Sequence, residues 1–218
     1  MACPPWRTEC PNLALAYLSA MLRANDVATW VADLNILLYK KTDEVLRRYW
    51  DLTSSAFWGR PEGFKSSFSP SMMKVVDDLA EELAEREGDL VGFSTQSANV
   101  MFTLEMVRRL RARGCRKTIV LGGPAVRLRT PGRADSVGLI GFRASGLDEA
   151  AVVYELGRHL DLVDVLVEGE GEETLLELAQ RQLAGVALDG TPGAVVWNHG
   201  KPPPFVSRPA IANLDLLP

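Results

Sequence analysis

Cysteine and histidine are scarce in this 218-residue chain, with three of the first and two of the second. Cys3, Cys10 and Cys115 are odd in number and lack CxxC spacing, so a disulfide framework is not expected. Reduced thiols in a cytoplasmic protein are the simpler reading. His159 falls near the end of a predicted helix and His199 in an NHG turn, and both read as solvated surface residues. No apolar run approaches the ~20 residues of a membrane span. The first residues, MACPPWRTECP, hold no apolar signal core. The net charge is -4 without a basic block, so nucleic acid is not an expected partner. Neither GxGxxG nor GxxxxGK[ST] occurs, which argues against a nucleotide-binding enzyme. No internal repeat is seen.

What is present suits one soluble α/β domain. Hydrophobic residues make up 47% and charged residues 24%, enough apolar material for an ordinary core. Helical periodicity runs over 13–23 (LALAYLSAMLR), and 28–34 (ATWVADL) has strand character. Residues 42–50 read as a helix. Residues 71–86 form an amphipathic helix for which Ser71 is a plausible cap. A strand is expected at 90–93, a helix at 100–113 stopped by Gly114, and a strand at 117–121. The pattern loosens over 127–146. A helix at 147–160, a strand at 163–167, a helix at 172–183 and a short strand at 194–198 follow. Strands that alternate with helices imply parallel pairing, with ligands at the carboxyl ends of the strands.

Three strand ends there carry candidate binding residues. GFSTQSAN, 92–99, offers the small polar side chains Ser94, Thr95, Gln96, Ser97 and Asn99. They suit a slot for a flat ring, and helix capping by Ser97 or Asn99 is the competing structural reading. GGP places Gly122, Gly123 and Pro124 after TIVL; it is either a close backbone approach to a ligand or a tight turn. GEGEE, 169–173, puts Glu172 and Glu173 in a first helical turn, where the macrodipole alone accounts for them. Its acidity disfavours phosphate and suits a neutral, amide-rich ligand edge. Near the start, PPW (Pro4, Pro5, Trp6) stiffens a loop, and Trp6 is either a core aromatic or a surface for a ring.

In this order, with PPW at the start and NLDLLP at the end, the motifs resemble the N-terminal cobalamin-binding domain of cobalamin-dependent radical SAM enzymes. The resemblance implies a flavodoxin-like or Rossmann-like parallel sheet with flanking helices. It implies cobalamin as cofactor. Pro5 and Trp6 would lie by the corrin, Ser94, Thr95, Gln96 and Asn99 along the nucleotide tail, and Gly122, Gly123 and Pro124 against the tail and its base. Gly169, Glu170 and Gly171 would lie beside the corrin. The DxHxxG pattern that supplies a lower cobalt ligand in methionine-synthase-like domains is absent, so base-off cobalamin is expected, with no protein metal ligand and no catalytic residue in this chain. The CxxxCxxC that holds an iron-sulfur cluster is also absent. The cluster and S-adenosylmethionine would belong to a downstream barrel, in cis or in trans. In the family a strand precedes the PP motif, whereas only Met1, Ala2 and Cys3 precede Pro4 here. That strand is internal in a 2-1-3-4-5 sheet, so its neighbours should be left with a gap or forced to re-pair.

The resulting expectation is a cobalamin-binding accessory domain over 1–200, with a linker toward the barrel over 201–218. Its parent would be a methyltransferase. The alternative is a cofactor-free flavodoxin-like regulatory or interaction domain. An insertion at 53–70, with Phe57, Trp58, Phe64 and Phe68 among Gly, Ser and Pro, is expected to be a lid or docking surface, or else a satellite core.

Overall fold

In the computed structural model, residues 1–51, 54–59, 63–96, 98–128, 140–141, 160–196, 205–213, 215 and 217–218 are described. Three parallel strands build the centre: β1 (Leu90–Ser94), β2 (Thr118–Gly122) and, after two short strands, β5 (Val165–Val167). β6 (Ala194–Val196) closes one edge antiparallel to β5, giving the order β1-β2-β5-β6. The short strands β3 (Arg127–Leu128) and β4 (Ile140–Gly141) pair with each other. The chain is therefore α/β with a mostly parallel sheet, as the alternation of elements requires. β6 departs from parallel pairing. Residues 184–193 carry the chain back to the carboxyl end of β5, where the Glu168 amide donates to the Gly193 carbonyl at 2.9 Å.

One face of the sheet carries α6 (Pro70–Glu85) and α7 (Val100–Ala112), and the other α1 (Leu13–Ala24) and α8 (Glu172–Leu183). α6 starts one residue earlier than the sequence suggests, because Ser69 caps it and Pro70 takes the first turn. Gly114 adopts φ +75 and ends α7, as its position predicts. Val91, Phe93, Ile119, Leu121 and Leu166 pack into the main core with both helices. On the opposite face Val120, Val165 and Val167 pack with Leu178 of α8.

One expectation fails here, and another resolves toward the second of its two readings, the satellite core. Residues 28–32 form no strand; a single parallel bridge joins Asp33 to Ala2, and Ala2 in turn bridges Ser94. Met1 and Ala2 lie between the two: the Ala2 amide donates to the Ala32 carbonyl at 3.2 Å and the Ser94 amide to the Met1 carbonyl at 2.9 Å, and residues 28–31 have no ladder partner among the described residues. At 53–70 the described residues include two short helices, α4 (Ser55–Trp58) and α5 (Gly63–Ser67), which bury Trp58 and Phe64 and leave Phe57 half-buried. Trp58 is 0% exposed and meets Trp50 and Phe102 edge-on at ring-centroid distances of 4.8 and 5.8 Å. Phe64 and Phe68 complete the cluster against α7. The segment is thus a continuation of the core. The helix α2 (Leu34–Lys41) was not foreseen, and 42–50 divides into α3 (Glu44–Arg47) and a 3-10 turn, Arg48–Trp50. The helix expected at 147–160 lies almost wholly outside the described residues, as do Ser97, His159 and His199.

Candidate functional site

A cavity of about 690 Å³ runs along the α1/α8 face of the sheet. Its shape is written in β1, whose residues alternate between half-buried (Leu90, Gly92, Ser94) and buried (Val91, Phe93). The buried pair packs into the core with α6 and α7, and all five residues of β1 border the cavity. Gly92 is the middle member. A Cβ built on it would meet nothing within 4 Å.

The upper end of the cavity is formed by the three strand-end loops. Ser94, Gly122, Gly123, Pro124, Gly169, Glu170 and Gly171 all border it. The sheet register explains the first four: Ser94 pairs with Gly122, so the two loops leave the sheet side by side. The Thr95 amide and hydroxyl both donate to the Gly122 carbonyl, each at 2.7 Å, and the Ala125 amide donates to the Thr95 carbonyl at 3.2 Å. These bonds draw Gly123 so close to Thr95 that a Cβ would fall 2.6 Å from its carbonyl oxygen and 2.9 Å from its nitrogen. Gly123 also has φ +107, a conformation that side chains disfavour. Gly169 turns with φ +86, and Gly171 opens α8. Among the described residues, Glu172 keeps one buried carboxylate oxygen without a hydrogen-bond partner at the cavity edge.

The remaining sequence candidates stand elsewhere. Thr95 is fully buried, with its hydroxyl already engaged. Asn99 is buried too. Its Nδ2 donates to the Cys3 carbonyl at 3.2 Å, and its Oδ1 accepts from the Gln96 amide at 2.7 Å. It therefore ties the PPW loop to the loop after β1 rather than facing the cavity. Pro5 and Trp6 do not border the cavity; the Pro4–Pro5 peptide is cis. Trp6 is held by Asn35, whose side chain both accepts from its amide (3.0 Å) and donates to its carbonyl (3.2 Å). Asn35 Oδ1 also accepts from the Trp50 indole at 2.7 Å. Nothing in the local sequence distinguishes this buried asparagine from a surface one; only the meeting of three distant segments reveals it.

Behind the sheet, Glu105 of α7 gathers Arg108, Arg109 and Lys65 at 2.8 to 3.1 Å. Burial pushes its carboxyl up, but the Arg108 hydrogen bond and the neighbouring cations outweigh this and hold its pKa at about 2. On the α8 side, the Arg208 guanidinium reaches Glu173, Glu177 and the Thr174 hydroxyl. The Ile211 amide donates to Glu170 Oε2 at 2.5 Å. The segment 205–213 is thereby fastened to the GEGEE loop and α8.

Among the described residues no group of His, Cys, Asp and Glu is placed to hold a metal ion, and no helix is long and apolar enough to cross a membrane. No protein-family model matches the chain, and no curated protein matches it in sequence. Two solved structures of the radical S-adenosylmethionine methyltransferase TsrM from Kitasatospora setae are similar in fold. One holds a tryptophan substrate and a SAM analogue: TM-score 0.55, 17% identity, over 94% of this chain and 29% of that one. The other holds cobalamin and a [4Fe-4S] cluster: TM-score 0.56, 16% identity, over 100% and 30%. The chain thus spans about 30% of the length of the TsrM structures and shares the fold of that part.

Proposed function

We propose that this chain is a cobalamin-binding domain that serves a radical SAM barrel, and that the parent enzyme is a methyltransferase. The observation that carries the reading is the cavity at the carboxyl ends of the parallel strands, where backbone and glycine rather than bulky side chains line the upper wall. A large, flat, neutral ligand needs such a wall, and open α/β sheets bind ligands at this position. The fold it shares with TsrM, which is seen with cobalamin, supports the same reading.

In this proposal Ser94, Gly122, Gly123 and Pro124 flank the nucleotide tail, and the tail descends past Gly92 along the open face of β1. Gly169, Glu170 and Gly171 border the corrin. Thr95 and Asn99 act at one remove by fixing the two loops, and Asn35 fixes Trp6. Neither His159 nor His199 stands in a DxHxxG pattern, so this proposal assigns no cobalt ligand to this chain. Cobalamin itself supplies the methyl-carrying chemistry; this chain's residues bind it, orient it and exclude water. The alternative of a cofactor-free interaction domain is weakened, because Trp58, Phe64 and Phe68 are packed into the core.

Hydroxocobalamin incubated with the purified chain should co-elute with it, with a dissociation constant in the micromolar range, on the order of -8 kcal/mol. Free cofactor that separates fully from folded protein, at concentrations up to the millimolar range, would refute the proposal.

A further inference from the structure

Residues 205–213 are bonded at two levels to elements that form the cavity's upper rim. The first level is α8 and the turn before β6. The Gly193 amide donates to the Val206 carbonyl at 2.7 Å. Arg208 Nε donates to the Thr174 hydroxyl at 2.9 Å and to the Pro192 carbonyl at 3.2 Å, while the rest of the guanidinium meets Glu173 and Glu177. Gly193 makes room for this seat. At its φ of +80 a Cβ would fall 2.5 Å from Thr174 Oγ1 and 3.3 Å from Arg208 Cβ. With its side chain 18% exposed and its donors spent on two carboxylates, a hydroxyl and a carbonyl, Arg208 is an anchor rather than a solvated charge.

The second level lies three residues further on. The Ile211 amide donates to Glu170 Oε2 at 2.5 Å. Glu170 borders the cavity and stands between Gly169, at φ +86, and Gly171. The flanks of this loop are pinned to the fold: the Glu168 amide donates to the Gly193 carbonyl at 2.9 Å, and the Leu175 amide to the Gly171 carbonyl at 2.7 Å. Among the described residues, Ile211 is the hydrogen-bond partner that holds the Glu170 carboxylate, and the buried Glu172 oxygen at the cavity edge has none. The two glycines leave the backbone at Glu170 free to turn once the Ile211 bond is broken.

We propose, on the reading that the cavity holds cobalamin, that residues 205–213 are a strap whose closure is coupled to occupancy of the cavity. Ligand seated against Gly169–Gly171 fixes Glu170 in the orientation that Ile211 bonds, and release of the strap weakens the ligand's hold. The coupling runs through one shared element. The loop has an orientation that both the ligand edge and the Ile211 amide select, so each raises the population that the other binds. By linkage, the factor by which ligand stabilises the strap equals the factor by which the strap tightens the ligand. Arg208 supplies the tether, because it keeps the Ile211 amide at high effective concentration near Glu170.

Ile211→Pro deletes the N–H and leaves the cavity lining and Arg208 untouched, and Ile211→Ala keeps the N–H as its control. In hydroxocobalamin titrations Ile211→Ala should match the parent chain. Ile211→Pro, at an unchanged urea midpoint, and Arg208→Ala should bind at least ~fivefold more weakly, the low end of allosteric coupling. In the parent chain, saturating hydroxocobalamin should slow amide exchange at Ile211 by the same factor, a measurement that needs no substitution and stands if Ile211→Pro fails to fold. Equal affinity of Ile211→Pro and the parent, or Ile211 exchange indifferent to bound hydroxocobalamin, overturns the strap and leaves cobalamin binding standing. Equal weakening by Ile211→Ala and Ile211→Pro overturns it too, since the side chain rather than the N–H would then matter. Absence of binding to the parent chain overturns the cobalamin reading, and the strap with it.

Discussion

Gly92→Leu separates a ligand wall from a structural one. Gly92 lies in the middle of β1, borders the cavity and has no neighbour within 4 Å of a would-be Cβ. Its φ is not in the left-handed range, so the substitution adds no backbone strain, and leucine suits a strand better than glycine does. The protein should keep its melting temperature within a few degrees. The new side chain occupies the space along which the nucleotide tail is proposed to lie, and its neighbours are sheet backbone that cannot retreat. Loss of even one well-packed contact region of the ligand is worth more than ~1.4 kcal/mol, so affinity for hydroxocobalamin should fall at least tenfold. Gly123→Ala offers the contrast. There a Cβ falls 2.6 Å from the Thr95 carbonyl oxygen at φ +107, so the change should destabilise the fold itself by about 2–4 kcal/mol with or without ligand. Equilibrium denaturation and cofactor titration of both variants check the pair. If Gly92→Leu folds and binds hydroxocobalamin as tightly as the parent protein, the tail does not pass along β1 and the proposed placement is wrong.

The aromatic segment should behave as core: Trp58→Ala is expected to cost about 3–5 kcal/mol in urea denaturation, because Phe64, Phe68 and Phe102 close around a fully buried ring. A variant that unfolds at the parent's urea midpoint would restore the lid reading. Asn35→Ala leaves the Trp6 backbone and the Trp50 indole without their shared partner, and should cost about 2–3 kcal/mol by the same assay, with increased exchange of the Trp6 amide. Glu105 has a folded-state pKa depressed to about 2, below the ~4.3 of an unfolded glutamate, so its stabilisation is complete above pH ~4.3 and lost as pH falls toward 2. Glu105→Gln should therefore flatten the stability-versus-pH curve in that window, and an unchanged acid limb would show that Glu105 carries none of it. Arg208→Ala removes the guanidinium that joins Glu173, Glu177 and Thr174 to the segment 205–213; proteolysis after residue 205 should accelerate while cooperative unfolding of the sheet is retained.

Sequence alone determined the elements whose signals are local. Period-2 and period-3.6 patterns placed β1, β2, α6, α7 and α8 within a residue or two, because each buries one face or both against a single layer. Glycine at 114 ended a helix for a reason contained in its own backbone. The three strand-end motifs also lay where a parallel sheet must gather them, and Ser94, Gly122, Gly123, Pro124, Gly169, Glu170 and Gly171 do meet around one cavity. What needed tertiary structure was everything decided by partners far along the chain. Residues 28–32 have strand composition, yet a strand exists only if a neighbour pairs with it, and among the described residues only the Ala2 amide does so, at Ala32. The aromatics at 57–68 show no period because short helices wrap them against α7, so their burial is invisible locally. Asn99 reads locally as either a ligand donor or a helix cap, and its side chain donates to the Cys3 carbonyl, 96 residues away in sequence. Asn35 carried no signal at all. Side chains with generic hydrogen-bonding chemistry take their roles from what the fold brings to them, and hydrophobic periodicity says nothing about that.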